Sequence, residues 1–281
     1  MLANLNGIQV HYADHGSGLP VLGLHGGGVD HREIMGALEP LFADRPGYRR
    51  IYPDLPGMGR TPAPETIDST DAVLELLLGL VDAIIGEEAF LVVGHSSGGY
   101  LAQAIASRRP RQAAGLALLC PLVGEGGGEG ERPEHVVLHA SDDLDLDGAL
   151  EPELAAVFRS YLVVHTPQTL GRFQERVAPG VALADQAALE RMGARWQLST
   201  APEQGPAYAN PTLILAGRQD ASVGYVGAWR LLGHYPRATF AVLDRAGHGL
   251  PHEQVGLLGA LLGEWLDRIG EHRAATTAND D

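Results

Sequence analysis

The sequence predicts an α/β chain, a mainly parallel sheet covered by helices on both faces, on three observations. Short apolar runs of strand type alternate with amphipathic helical stretches. Those runs end in glycine-rich loops that carry polar side chains, as expected where ligand chemistry gathers at the carboxyl ends of parallel strands. The length of 281 residues, 45% of them hydrophobic, suits one such domain with an insertion, or two small domains.

Residues 1–12 alternate apolar and polar around Asn6-Gly7, a hairpin that opens the sheet. Pro20 to Leu24 is a buried-type strand running into His25-Gly26-Gly27-Gly28, where glycines let backbone N–H groups face a ligand. A helix over 30–42 follows, with Ile34, Leu38 and Leu41 in register. Next come a strand from Arg50 into the Pro/Gly loop at Asp54 and a helix over 71–85. The strand from Phe90 then enters Gly94-His95-Ser96-Ser97-Gly98. A serine in this Gly-x-Ser-x-Gly context is turned sharply between strand and helix, with its hydroxyl clear of the sheet edge. The helix that follows, 97–109, stops before Pro110, and its N-terminus beneath Ser96 favours an oxyanion there.

After a strand over 114–120 the pattern breaks at the acidic glycine run from Gly124 to Glu131, which reads as a flexible hinge. Residues 122–206 read as an inserted helical cap, with helices over 152–164, 167–177 and 185–198. It divides the core into 1–121 and 207–270. The sheet resumes at Pro211 to Ala216 and continues, after a helix over 223–235, at Ala238 to Leu243. A last helix over 253–269 packs Leu257, Leu261, Trp265 and Leu266, and residues 271–281 read as a disordered polar tail.

Composition narrows the function classes. A net charge of −15 repels nucleic acid and anionic lipid. All twenty basic residues are arginine, so a Walker A loop and lysine Schiff-base chemistry are excluded. No apolar run is long enough to span a bilayer and the N-terminus lacks a signal core, so no membrane role and a cytoplasmic location are expected. Cys120, the single cysteine, lies in an apolar run and reads as a small buried hydrophobe.

Ser96, Asp220 and His248 appear in that chain order, each after a strand. A serine hydroxyl needs an imidazole to take its proton, and the imidazole needs an acid to hold its tautomer, which gives each residue one role. Asp244 is the fallback acid, only four residues before His248. The expected oxyanion donors are the N–H of Ser97 and one from the glycine loop, Gly27 first, with Gly26 or Gly28 as alternatives. Gly94 to Gly99, His25 to Gly28, Asp54 to Gly59, Gly217 to Asp220 and Gly247-His248 together resemble the α/β-hydrolase family across residues 7–269. The resemblance implies an eight-stranded sheet, a cap inserted after the sixth strand and no cofactor.

Within that family, ring-cleavage-product hydrolases often carry tryptophan immediately after the catalytic histidine, where this chain has Gly249. The expected activity is therefore acyl-enzyme hydrolysis of a small, largely apolar ester, lactone or thioester. A carbon–carbon bond hydrolase and a non-catalytic ligand-binding relative are the alternatives. Gly28, His95 and, from the cap, Phe158, Tyr161 and Trp196 are the candidate substrate-binding residues. The partner is a small-molecule substrate, and the chain is expected to be a monomer or homodimer. No metal is expected: the calcium-like run Asp143 to Gly148 lacks its closing acid, and His135 and His139 flank apolar residues of strand type.

Overall fold

A computed structural model describes residues 1–124 and 132–280. The chain forms β1 (Leu2–Leu5), β2 (Ile8–Gly16), β3 (Leu19–Leu24), α1 (His31–Phe42), β4 (Tyr48–Pro53), α2 (Thr70–Ile84), β5 (Phe90–His95), α3 (Ser97–Arg108) and β6 (Ala113–Leu119). An inserted segment then carries β7 (His139–Ala140), α4 (Leu146–Ala149), α5 (Pro152–Tyr161), β8 (Val164–His165), α6 (Pro167–Arg176), α7 (Ala178–Val181) and α8 (Gln186–Gly193). The core resumes with β9 (Thr212–Gly217), α9 (Val226–Arg230), β10 (Ala238–Leu243), α10 (Leu250–Glu253) and α11 (Val255–Asp280).

The main sheet has eight strands in the order β1-β2-β4-β3-β5-β6-β9-β10. Only β1 with β2 and β2 with β4 are antiparallel; β4, β3, β5, β6, β9 and β10 pair in parallel. The first hairpin closes at Asn6 (φ 52°) and Gly7 (φ 87°), both left-handed as a tight two-residue turn requires. Side chains alternate across β5: Val92 packs into the layer that includes Leu77 and Ile105, while Leu91 and Val93 pack opposite, with Leu38 and Leu262. Burial on both faces explains why Phe90 to Val93 is a continuous apolar run.

Three expectations are corrected. The helix predicted over 223–235 shrinks to α9 and a short 3-10 turn over Leu231–Gly233, in a stretch where Gly224 takes φ 71°. The register of the last helix differs: Leu258, Leu262, Trp265, Leu266 and Ile269 are buried and Leu257 is half exposed. The tail read as disordered continues α11 as far as Asp280, with His272 hydrogen-bonded to Arg237 and Asn210. The predicted hinge at 124–131 falls, apart from Gly124, outside the described residues. The calcium-like run has a structural role, since Asp145 caps α4 by accepting the Gly148 N–H at 2.9 Å.

Candidate active site

Ser96 lies at the turn from β5 into α3 with φ 53° and ψ −120°, a conformation that a residue with a side chain rarely adopts. The glycines around it make the turn possible. A Cβ on Gly94 would stand 2.2 Å from the Gly98 carbonyl, and one on Gly98 would stand 2.4 Å from the His25 carbonyl.

His248, in the loop after β10, brings Nε2 to 2.9 Å from Ser96 Oγ and Nδ1 to 2.8 Å from Asp220 Oδ2. Asp220, buried after β9, also accepts the N–H groups of Ser222 at 2.9 Å and Val223 at 3.0 Å. Burial pushes its carboxyl up, but His248 and these two donors outweigh it and leave the pKa below the usual aspartate value. A charged Asp220 fixes the proton on Nδ1 and leaves Nε2 bare toward the serine. Asp244 turns away from this chain of groups and accepts from the Gln219 side chain.

The three candidate glycine donors differ in what they already bind. Gly26 N–H points to Glu33 Oε2 at 3.4 Å and Gly28 N–H to Met58 Sδ at 3.2 Å. The N–H groups of Gly27 and Ser97 have no acceptor among the described residues. Both residues line a cavity of about 320 Å³ whose walls include Leu55, Met58, Val73, Leu101, Met192 and Trp196. Of the residues lining it, none is charged.

Gly28 and Trp196, two of the predicted substrate-binding residues, line this cavity. Phe158 does not. It is fully buried within the inserted segment, 5.3 Å edge-on to Phe173 and 4.9 Å from the His165 ring, because α5 turns its apolar face toward α6. Tyr161 stands on the histidine side instead, 5.9 Å from the His248 ring. His95 is buried behind Ser96, with Nε2 3.0 Å from the His248 carbonyl and Nδ1 3.1 Å from Glu33 Oε1. The sequence reading missed Glu33, His252 and Glu253. Glu33 does leave a trace, since it precedes Ile34 and sits four residues before Ala37 along the buried stripe of α1.

A second cluster, His11, His31 and Asp54, has the composition of a metal site, but its carboxylate oxygens and both Nδ1 atoms are already paired with one another. Asp54 accepts from both Nδ1 atoms, at 2.8 and 2.7 Å, and from the N–H groups of His31 and Arg60. Burial pushes its carboxyl up, but the His31 ring and the N–H groups of His31 and Arg60 outweigh it and hold the carboxyl well below the usual range.

Residues 21–256 match the model of the Alpha/beta hydrolase family. The chain belongs to the α/β hydrolase family. This hydrolase is 31% identical to an alpha/beta superfamily hydrolase from Oenococcus oeni PSU-1, with a TM-score of 0.85 over 93% of this chain and 96% of that one. It is 26% identical to the 2-hydroxymuconate semialdehyde hydrolase of Pseudomonas sp. (strain CF600) over 92% of this chain and 91% of the relative. It also shares its fold with an esterase from Exiguobacterium antarcticum, at 17% identity and a TM-score of 0.73 over 95% of this chain and 98% of that one. The chain is an enzyme of hydrolase type, and no helix among the described residues is long and apolar enough to cross a membrane.

Proposed function

We propose that this hydrolase cleaves small, uncharged, largely apolar carboxylic esters, lactones or thioesters through an acyl-enzyme. The observation that carries this reading is the hydrogen-bonded chain Ser96 Oγ, His248 Nε2, His248 Nδ1, Asp220 Oδ2, with steps of 2.9 and 2.8 Å. Ser96 Oγ attacks the acyl carbon as His248 Nε2 takes its proton, and Asp220 holds the resulting imidazolium. The free N–H groups of Gly27 and Ser97 receive the oxyanion. His248 returns the proton to the leaving oxygen or sulfur, then activates water to release the acid. The inserted segment acts as a cap, and the uncharged cavity beside Gly27 holds the acyl chain.

Two observations favour this over carbon–carbon bond cleavage. 2-Hydroxymuconate semialdehyde, in the name of the Pseudomonas relative, carries a carboxylate, while no charged side chain lines the cavity. A Cβ at Gly249 would also meet Leu162 Cδ2 at 2.2 Å and the Tyr161 ring at 3.1 Å, so the inserted segment fills the place where a tryptophan side chain would follow His248. The non-catalytic reading is disfavoured by the complete hydrogen-bonded chain.

The test is hydrolysis of a p-nitrophenyl ester series by wild type and Ser96→Ala, with intact mass after fluorophosphonate treatment. Turnover and a single adduct at Ser96, both absent from the variant, are expected. Neither in the wild type would overturn the acyl-enzyme reading through Ser96.

A further inference from the structure

Glu33, on the first turn of α1, is fully buried, yet it touches three separate parts of the chain. Its Oε2 faces the Gly26 N–H at 3.4 Å in the loop after β3, and its Oε1 lies 3.1 Å from His95 Nδ1 at the end of β5. The same Oε1 lies 3.4 Å from His252 Nε2 on α10, four residues beyond His248. His95 completes the circuit by placing Nε2 3.0 Å from the carbonyl of His248 itself. The loops joined in this way carry Gly27, Ser96 and His248.

The ring of His95 is held between two groups that only accept. Nε2 donates to the carbonyl, while Nδ1 meets Glu33 Oε1 as an ion-pair contact at 3.1 Å without hydrogen-bond geometry; neither a carbonyl nor an ionised carboxylate has a proton to give, so a His95 suited to both carries a proton on each ring nitrogen. A neutral imidazole would press a lone pair against Glu33 or against the His248 carbonyl, in a site closed to water.

We propose that Glu33 is a positioning residue of this hydrolase, holding the loops of Gly27, Ser96 and His248 in register through a His95 that is doubly protonated. This rests on the serine mechanism proposed above. The electrostatics agree in direction: burial pushes His95 down, but Glu33 more than offsets it and leaves His95 above the usual histidine value. Burial raises Glu33, but His95 and His252 together bring it well below the usual glutamate range. The other groups facing the pair do not supply the proton. Burial keeps the His252 imidazole below its ordinary value, and the buried Tyr161 and Cys120 stay protonated because burial raises both. Asp220 adds a weaker negative field on His95, and Arg176 a positive one on His252.

The pair therefore works while His95 keeps its second proton and slackens as pH rises through its raised pKa, which places a falling alkaline limb on kcat. Glu33→Gln separates charge from shape. Its amide donates to His95 Nδ1, so a neutral His95 keeps its Nε2–H on the His248 carbonyl and the alkaline limb disappears, with KM unchanged. Glu33→Ala removes the link, and kcat falls on the order of 10- to 100-fold as the groups drift apart. If Glu33→Ala does not fold, Glu33→Gln carries the test.

The experiment measures kcat and KM against pH for wild type and Glu33→Gln, together with nitrogen NMR of the histidine rings in the full chain at pH 7. Two ring protons on His95 in wild type, one in Glu33→Gln, and a lost alkaline limb are expected. Superimposable pH profiles, or a single ring proton on wild-type His95, overturn the proposal. The ring protons are read without turnover, so the result is distinct from failure of the serine reading, which Ser96→Ala and the fluorophosphonate adduct report.

Discussion

Glu253 accepts the Gly247 N–H at 2.7 Å through Oε2, while its Oε1 accepts the N–H groups of Val163 at 2.6 Å and Val164 at 2.9 Å. One partly buried carboxylate thus fastens the residue before His248 to the inserted segment. An amide in its place sets an N–H against an N–H. Glu253→Gln is expected to lose about 1–3 kcal/mol of stability, read as a lower denaturant midpoint.

Asp220 fixes the His248 tautomer, so Asp220→Asn should keep the fold and lower kcat on the order of 10³- to 10⁴-fold. Circular dichroism and ester kinetics on the same preparation separate the two effects. A rate near wild type would assign the acid to another residue.

The same residue gives a pH dependence to stability. Its pKa is lower folded than unfolded, so its contribution is complete above the unfolded value, about 4, and is lost as pH falls through the folded value. Thermal melts of wild type and Asp220→Asn at falling pH should converge below about pH 4. A gap that stays constant into acid would contradict the lowered pKa.

Trp196 closes part of the uncharged cavity from the inserted segment, 6.2 Å from the Tyr100 ring. Trp196→Ala should move the preferred acyl chain to greater length. Each added methylene buried there should raise kcat/KM about fourfold relative to wild type, from about 0.8 kcal/mol per CH₂. The p-nitrophenyl ester series measures the shift.

Gly98 admits no side chain because its Cβ position lies 2.4 Å from the His25 carbonyl and 2.5 Å from the Leu24 carbonyl, both backbone atoms. Gly98→Ala is expected to push α3 off β3, with about 1–3 kcal/mol lost from overpacking and activity lowered together with melting temperature. An active, fully stable variant would show that the turn at Ser96 tolerates more room than its geometry allows.

The sequence by itself determined the order of the strands along the chain and the positions of Ser96, Asp220 and His248 after three of them. These features follow from local rules: apolar periodicity, glycines at a forced turn, and the pairing of residue types that proton transfer needs. Only the tertiary structure decided that Gly27 keeps a free N–H while Gly26 and Gly28 spend theirs on Glu33 and Met58. It also turned Phe158 into the packing of the inserted segment and placed Trp196, three residues beyond the end of α8, in the cavity wall, which helical spacing does not decide. Glu33 shows the limit most plainly. An acid in the first turn of a helix reads as a solvated N-terminal charge. Its meeting with His95 and His252 depends on two elements, β5 and α10, 62 and 219 residues away along the chain, converging on one buried point. Such long-range convergence leaves no period in the sequence, because it is fixed by how the sheet and its helices pack.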